Sequence, residues 1–220
     1  MPNGERFEMS ASERSNRAPS RSALFAAAKA WDAASVRAFV RAAPSLASVV
    51  DSRGRQALHL ACAVKGLGLG ETKGLATAKA LLDAGADLEA AVPMPNEGDF
   101  RATPLWCAVA RGENLPLVRF LLKRGADASW SLWAAVWRDD AVVLRDLLKA
   151  RPRLDLKADG DTALFYAARL RRLKTLDLLI DAGADPTIAD DRGRDAVSIA
   201  RERRLPKPFI DRLAALATRR

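Results

Sequence analysis

Few side chains in this chain are equipped for covalent or metal chemistry. The 220 residues include one histidine, His59, and two cysteines, Cys62 and Cys107. A Ser–His or Cys–His nucleophile needs a base held by a third group, and zinc needs several Cys or His ligands at short spacing. Neither constellation can be drawn here. The cysteines fall at different positions in their helical segments, so no disulfide is specified. Buried free thiols are expected instead, in a reducing, cytoplasmic compartment. The glycine-rich stretch Gly66-Leu-Gly-Leu-Gly-Glu-Thr-Lys-Gly74 invites a phosphate-binding reading. A P-loop, however, places Gly-Lys before Ser or Thr after a strand, and a dinucleotide fingerprint also follows a strand. Here the order is Glu-Thr-Lys-Gly and a helix precedes it. The stretch is therefore expected to be a flexible insertion between helices, available at most for contact with a partner. Asp159, Asp161, Asp190 and Asp191 sit at Gly-bearing turns and read as turn residues. No catalytic residue, cofactor or metal ligand is expected.

The elements that would position these residues repeat. Thr103 to Asp127 is a complete helix–turn–helix unit. Thr103 is an N-cap, Pro104 takes the first helical position, and Leu105, Ala108 and Val109 recur at helical spacing. Gly112 is expected to break that helix. Leu117, Phe120, Leu121 and Leu122 line a second one, which Gly125 ends with a left-handed cap. Neither helix is long enough to stand without neighbours, and the chain supplies them. Gln56-Ala-Leu-His-Leu-Ala leads to Leu81-Leu-Asp-Ala-Gly-Ala-Asp87, and Thr162-Ala-Leu-Phe-Tyr-Ala-Ala-Arg leads to Leu178-Leu-Ile-Asp-Ala-Gly-Ala-Asp185. Asp195-Ala-Val-Ser-Ile-Ala begins another copy. The anchors Leu132 and Leu164 are 32 apart, and Leu164 and Val197 are 33 apart.

On these residues the chain resembles the ankyrin repeat family, whose pattern is Thr-Pro-Leu-His-x-Ala, a Gly-bearing turn, a Leu-Leu pair and Gly-Ala-Asp. The resemblance covers roughly residues 22–216. It implies an all-α solenoid of about six units, two of them caps, at about 22–50, 51–89, 98–129, 130–156, 157–189 and 190–216. It also implies that His59 supports neighbouring turns, and that recognition uses the inner helix face and the turn tips.

Residues 1–21, polar and nearly free of aliphatics, are expected to be a disordered tail. They contain no apolar run of signal-peptide or membrane-spanning kind. Asp51-Ser-Arg-Gly54 is a hairpin-like turn, with Gly54 at positive φ. The second unit carries about eight extra residues around Lys65–Gly74, and the connection Ala90–Phe100 is also long. The fourth unit is degenerate: Trp130 follows Gly125 closely, leaving little or no hairpin, and Ala150-Arg-Pro152 replaces Gly-Ala-Asp.

Trp106, Trp133, His59 and Phe165 share one slot after their anchors and are expected to stack as core. Trp137 sits five residues after its anchor, in a row shared with Arg111, Arg138, Arg169 and Leu170. Two readings stay open: Trp137 fills the space of the missing hairpin, or it projects as an interface anchor. Turn tips add Arg53, Arg55, Phe100, Arg101 and Arg192 to the candidate partner-binding set. Trp and Arg suit a protein partner with an acidic or mixed surface. The expected function is a non-enzymatic protein–protein interaction scaffold. The alternative is a nucleic-acid-associated protein. Net charge is +9, and Arg201 to Arg220 holds seven basic and two acidic residues. That density either solvates a cap or attracts nucleic acid. The Ala- and Arg-rich composition suggests a bacterial gene.

Overall fold

The computed structural model describes residues 18–66, 71–94 and 98–219. Among them, twelve helices form six successive pairs. The pairs are α1 (Arg21–Lys29) with α2 (Ala33–Ala42), α3 (Ala57–Cys62) with α4 (Glu71–Asp83), and α5 (Pro104–Cys107) with α6 (Leu115–Lys123). There follow α7 (Leu132–Trp137) with α8 (Ala141–Lys149), α9 (Ala163–Arg169) with α10 (Leu173–Asp181), and α11 (Ala196–Glu202) with α12 (Lys207–Ala217). Odd-numbered helices stack in chain order as one row and even-numbered helices as a second. This is the layout of a solenoid, in which a short helix buries its apolar face only by stacking. Two short antiparallel hairpins link units: β1 (Val92–Pro93) with β2 (Arg101–Ala102), and β3 (Lys157–Ala158) with β4 (Asp161–Thr162). No helix among the described residues is long and apolar enough to cross a membrane.

Local chemistry starts most of the helices. Side-chain oxygens of Ser20, Asp32, Thr103, Asn114, Asp140, Thr162 and Asp195 accept first-turn N–H groups. The Gly-Ala-Asp triplets divide three tasks. Gly85, Gly125 and Gly183 hold φ of +87°, +93° and +77°; Ala86, Ala126 and Ala184 are buried; Asp87, Asp127 and Asp185 accept the N–H two residues on. In the fourth unit Arg151 takes the left-handed position instead, with φ 54°.

Three expectations need correction. Glu71 to Gly74 belong to α4 rather than to a loop, while Leu67–Gly70 lie outside the described residues. Gly74 is there for space: a Cβ would stand 2.8 Å from the ring of Trp31, whose Nε1 donates to Ala61 O at 2.8 Å. Arg21 and Ser20 belong to the first helix and its cap; of the expected tail, residues 1–17 lie outside the described residues. Gly112 does not itself end its helix. Glu113 is the left-handed residue, φ 50°, eight residues after Leu105, whereas Asp139 and Arg171 lie seven after Leu132 and Leu164. The extra residue is absorbed by a π-turn at Ala108–Gly112. That turn presses the chain against α3, so a Cβ on Gly112 would stand 2.2 Å from Cys62 O.

His59 is buried and links two units. Its Nδ1 accepts the Gln56 N–H at 3.2 Å, and its Nε2 donates to Ala90 O at 2.9 Å. Burial holds its pKa below the ordinary 6.5. Both thiols are buried and free, and burial pushes Cys107 up to about 11.

Gly112→Ala is expected to cost about 2 kcal/mol through overpacking. Gly85→Ala, which meets nothing within 4 Å, should cost about 1 kcal/mol for its backbone alone. Equal urea midpoints for the two variants would remove the steric account. For His59 the linkage runs one way: stability is complete above 6.5 and lost as pH falls below 6.5 toward the folded value. The wild type should lose up to ~1.4 kcal/mol per pH unit there, and His59→Gln, melted across pH 7.5 to 5, should lack that slope.

Candidate functional site

The fourth unit has no hairpin. A short 3-10 turn, Ser129–Ser131, takes its place, and aromatic side chains fill the room. Phe100, from the preceding hairpin, meets Trp106, Trp130 and Trp133 edge-on, with centroids 5.6, 5.6 and 6.1 Å away. Edge-to-face contacts place the positive rim of one ring on the negative face of another. Phe100 is only 5% exposed, so its assignment to the partner-binding surface is corrected: it is core. Of the expected aromatic column, His59, Trp133 and Phe165 are buried and Trp106 is half-buried, with the Arg111 guanidinium 5.5 Å from its ring centroid.

Trp137 stays outside this cluster. It is 59% exposed at the end of α7, and Val142 at the start of α8 is 50% exposed. Between them Arg138 reaches back to Glu113 at 2.5 Å, and Lys65 reaches the same carboxylate at 2.5 Å. Hydrogen bonds from Lys65 and Arg138 hold Glu113 below the ordinary carboxylate range. The turns of units two, three and four are thus tied beside an exposed tryptophan. A pocket of about 200 Å³ opens there, walled by Val109, Glu113, Leu115, Arg138 and Val142 among others.

A larger cleft, about 340 Å³, lies between the last two units. The tips Asp159–Asp161 and Asp190–Arg194 form one wall; Arg169, Glu202 and Arg203 at the ends of α9 and α11 form the other. Asp161 is buried, 2.7 Å from the Arg169 guanidinium, which also lies over Tyr166 at 5.1 Å. Burial pushes the Asp161 carboxyl up, and Arg169 opposes that rise. Asp161 is therefore an ion-paired wall residue rather than a simple turn residue, and the sequence carried no signal for it. Asp190 does shape its turn: it accepts the Arg192 and Arg194 N–H groups, and Arg194 pairs with it at 2.8 Å. Asp51 holds the first tip in the same way through Arg53 N, Arg55 N and the Arg55 side chain. Among the described residues, no group of three His, Cys, Asp or Glu is placed to hold a metal ion.

Residues 71–190 match the family profile described as ankyrin repeats (3 copies). The chain belongs to the ankyrin repeat family. It is similar to the solved ankyrin repeat domain from Acinetobacter baumannii AYE, with 25% identity, 89% of this chain and 97% of that one covered, and a TM-score of 0.67. The ankyrin repeat protein EF0377 aligns at 24% identity over 89% and 98% of the two chains, TM-score 0.62. The ankyrin repeat domain of Bcl-3, a member of the IkappaB protein family, aligns at 23% over 90% and 99%, TM-score 0.58. The latter two likenesses speak to the fold alone. Ankyrin repeats are in general protein–protein interaction modules.

The ankyrin array scatters the other expected contact residues. Arg53, Arg111 and Arg192 are exposed. Arg55, Arg138 and Arg169 are held by Asp51, Glu113 and Asp161. Arg101 donates to Phe100 O at 3.0 Å beside its own backbone, and Leu170 is half-buried. Only Arg169 and Arg192 share the larger cleft. Phe100→Ala is expected to cost about 3–5 kcal/mol, as a large-to-small core change does. Trp137→Ala should stay within about 0.5 kcal/mol of wild type. Chemical denaturation checks both, and the reverse ranking would exchange their places.

Proposed function

We propose that this ankyrin array is a non-enzymatic scaffold that holds a partner protein across its first-row helices and turn tips, with Trp137 as the anchor. The observation that carries the reading is the 59% exposure of Trp137 in an array that buries Trp31 and Trp133. A large aromatic left in water is the residue type that dominates interface energies. Two further features support it. Val142 extends the apolar surface, and the exposed Arg111 and Arg192 offer guanidinium forks to carboxylates. The partner surface is accordingly acidic or mixed, with an apolar side chain for the pocket beside Arg138. The setting is the cytoplasm, which suits two buried thiols left free.

A photo-crosslinking residue placed at Val142 tests this with Trp137 intact, and Val50, another exposed apolar position, is the control. A protein joined at 142 and not at 50 is expected. Trp137→Ala should then weaken binding of that protein about 30-fold, a hot-spot loss of about 2 kcal/mol. Equal crosslinking at both positions, or unchanged affinity, would refute the anchor.

A further inference from the structure

The turn between α9 and α10 contributes Arg171 and Arg172 and the first turn of α10 adds Lys174; the turn between α11 and α12 contributes Arg203 and Arg204 and the start of α12 adds Lys207. The fold puts these two turns side by side: Arg171 donates through its guanidinium to Arg203 O at 3.1 Å. All six except the half-buried Arg172 are exposed. Most carboxylates nearby are held elsewhere, with Asp211 exposed four residues after Lys207. Asp139 accepts both the N–H and the hydroxyl of Thr175 at 3.0 Å, Glu202 holds Arg194, and Asp177 and Asp181 hold Arg212. Six positive charges thus meet on one edge of a chain whose net charge is +9.

The helix ends add to this field. Both α10 and α12 begin at this edge, and a helix N-terminus carries a partial positive charge. The second-row helices α2, α6 and α8 cover their first N–H groups with Asp32, Asn114 and Asp140. At α10 the N-cap Arg172 gives no side-chain acceptor, but Asp139 of the preceding unit accepts the Thr175 N–H at 3.0 Å; α12, with Pro206 at its cap, begins without a side-chain acceptor.

The chemistry of the edge selects among polyanions. Leu205 is buried, and Leu170, Leu173 and Phe209 are half-buried. No apolar or aromatic side chain of the edge is exposed in the way that would anchor a protein, enter a membrane or stack on a splayed base. Phosphates on a stiff duplex require only guanidinium, ammonium and N–H donors. We infer that the turn edge of the last two units docks on the phosphate backbone of duplex nucleic acid, without regard to sequence. Trp137 lies at the neighbouring turn, two residues before the Asp139 that bonds Thr175, and is not one of the six basic residues.

The full-length protein is titrated into two labelled 20-base-pair DNA duplexes of unrelated sequence, between 50 and 200 mM salt, with fluorescence anisotropy as readout. Both duplexes should bind alike, and affinity should fall about 10³-fold across that range if about six phosphates are neutralised. The variant Lys174→Gln, Arg203→Gln, Arg204→Gln, Lys207→Gln changes exposed side chains only, and its circular dichroism and melting should match wild type. It should lose most of the affinity and flatten the slope of log affinity against log salt by about three to four. Trp137→Ala should bind the duplex as wild type does, which keeps this result apart from the protein-binding one. The inference is overturned if the quadruple variant binds like wild type or if a single strand of equal length binds more tightly than the duplex. It is also overturned if a glutamate-rich peptide or phosphatidylserine vesicles capture the protein where the duplex does not.

Discussion

A main-chain group stranded at a turn in one unit is satisfied by the unit beside it, and the array depends on that exchange. Trp31 donates to Ala61 O, His59 to Ala90 O, Lys157 to Ala189 O and Arg171 to Arg203 O. In the other direction Asp139 receives the N–H of Thr175 at the start of α10, and Ser129 receives the N–H of Arg153. Most of these bonds reach about one unit along the chain. A buried carbonyl or N–H left unpaired carries a desolvation cost of about 1–3 kcal/mol. Every unit therefore needs its neighbour for polar as well as apolar reasons, and the repeat length is held by both.

The same constraint explains the irregular middle of the array. A unit without a hairpin cannot offer the usual tip to its neighbours. Ser129 substitutes a hydroxyl, and Phe100, Trp130 and Trp133 substitute ring contacts. One unit earlier, an extra residue is taken up by a π-turn pressed onto α3. Both departures preserve the stacking of the first-row helices, and both fall near the exposed Trp137. Trp137, the most exposed large apolar side chain among the described residues, lies in the unit that lacks the hairpin.

Charge follows the same division of labour. Asp51 and Asp190 are committed to their tips, Glu113 at its turn pairs with Lys65 and Arg138, and within α8 Asp146 pairs with Arg119 and Lys149. Basic residues outnumber acidic ones, 36 to 27. At the turns of the last two units six basic residues gather, while Asp177, Asp181 and Glu202 beside them are held by Arg212 and Arg194.

Much of this was legible along the chain because helical spacing, N-caps, and glycines ahead of Ala-Asp are local signals that read the same in any context. The unit order, the cap at Thr103, the left-handed Gly125 and the missing fourth hairpin follow from such signals, while the supporting role of His59 followed from the family resemblance. Other features depend on what lies one unit away, and spacing along the chain does not reveal it. Phe100 occupies a tip position in sequence, yet three tryptophans from two units close over it. Gly74 and Gly112 read as a loop residue and a helix breaker, yet each clears space for a neighbour, the Trp31 ring and the Cys62 carbonyl. Trp133 and Trp137 lie one helical turn apart in the same short helix, and only the packed array buries the first and leaves the second in water. The sequence by itself determined the repeating unit, because its bonds and its apolar stripe are internal to a few consecutive residues. The tertiary structure alone decided which aromatic and which charge stayed free, because that depends on partners about thirty residues distant.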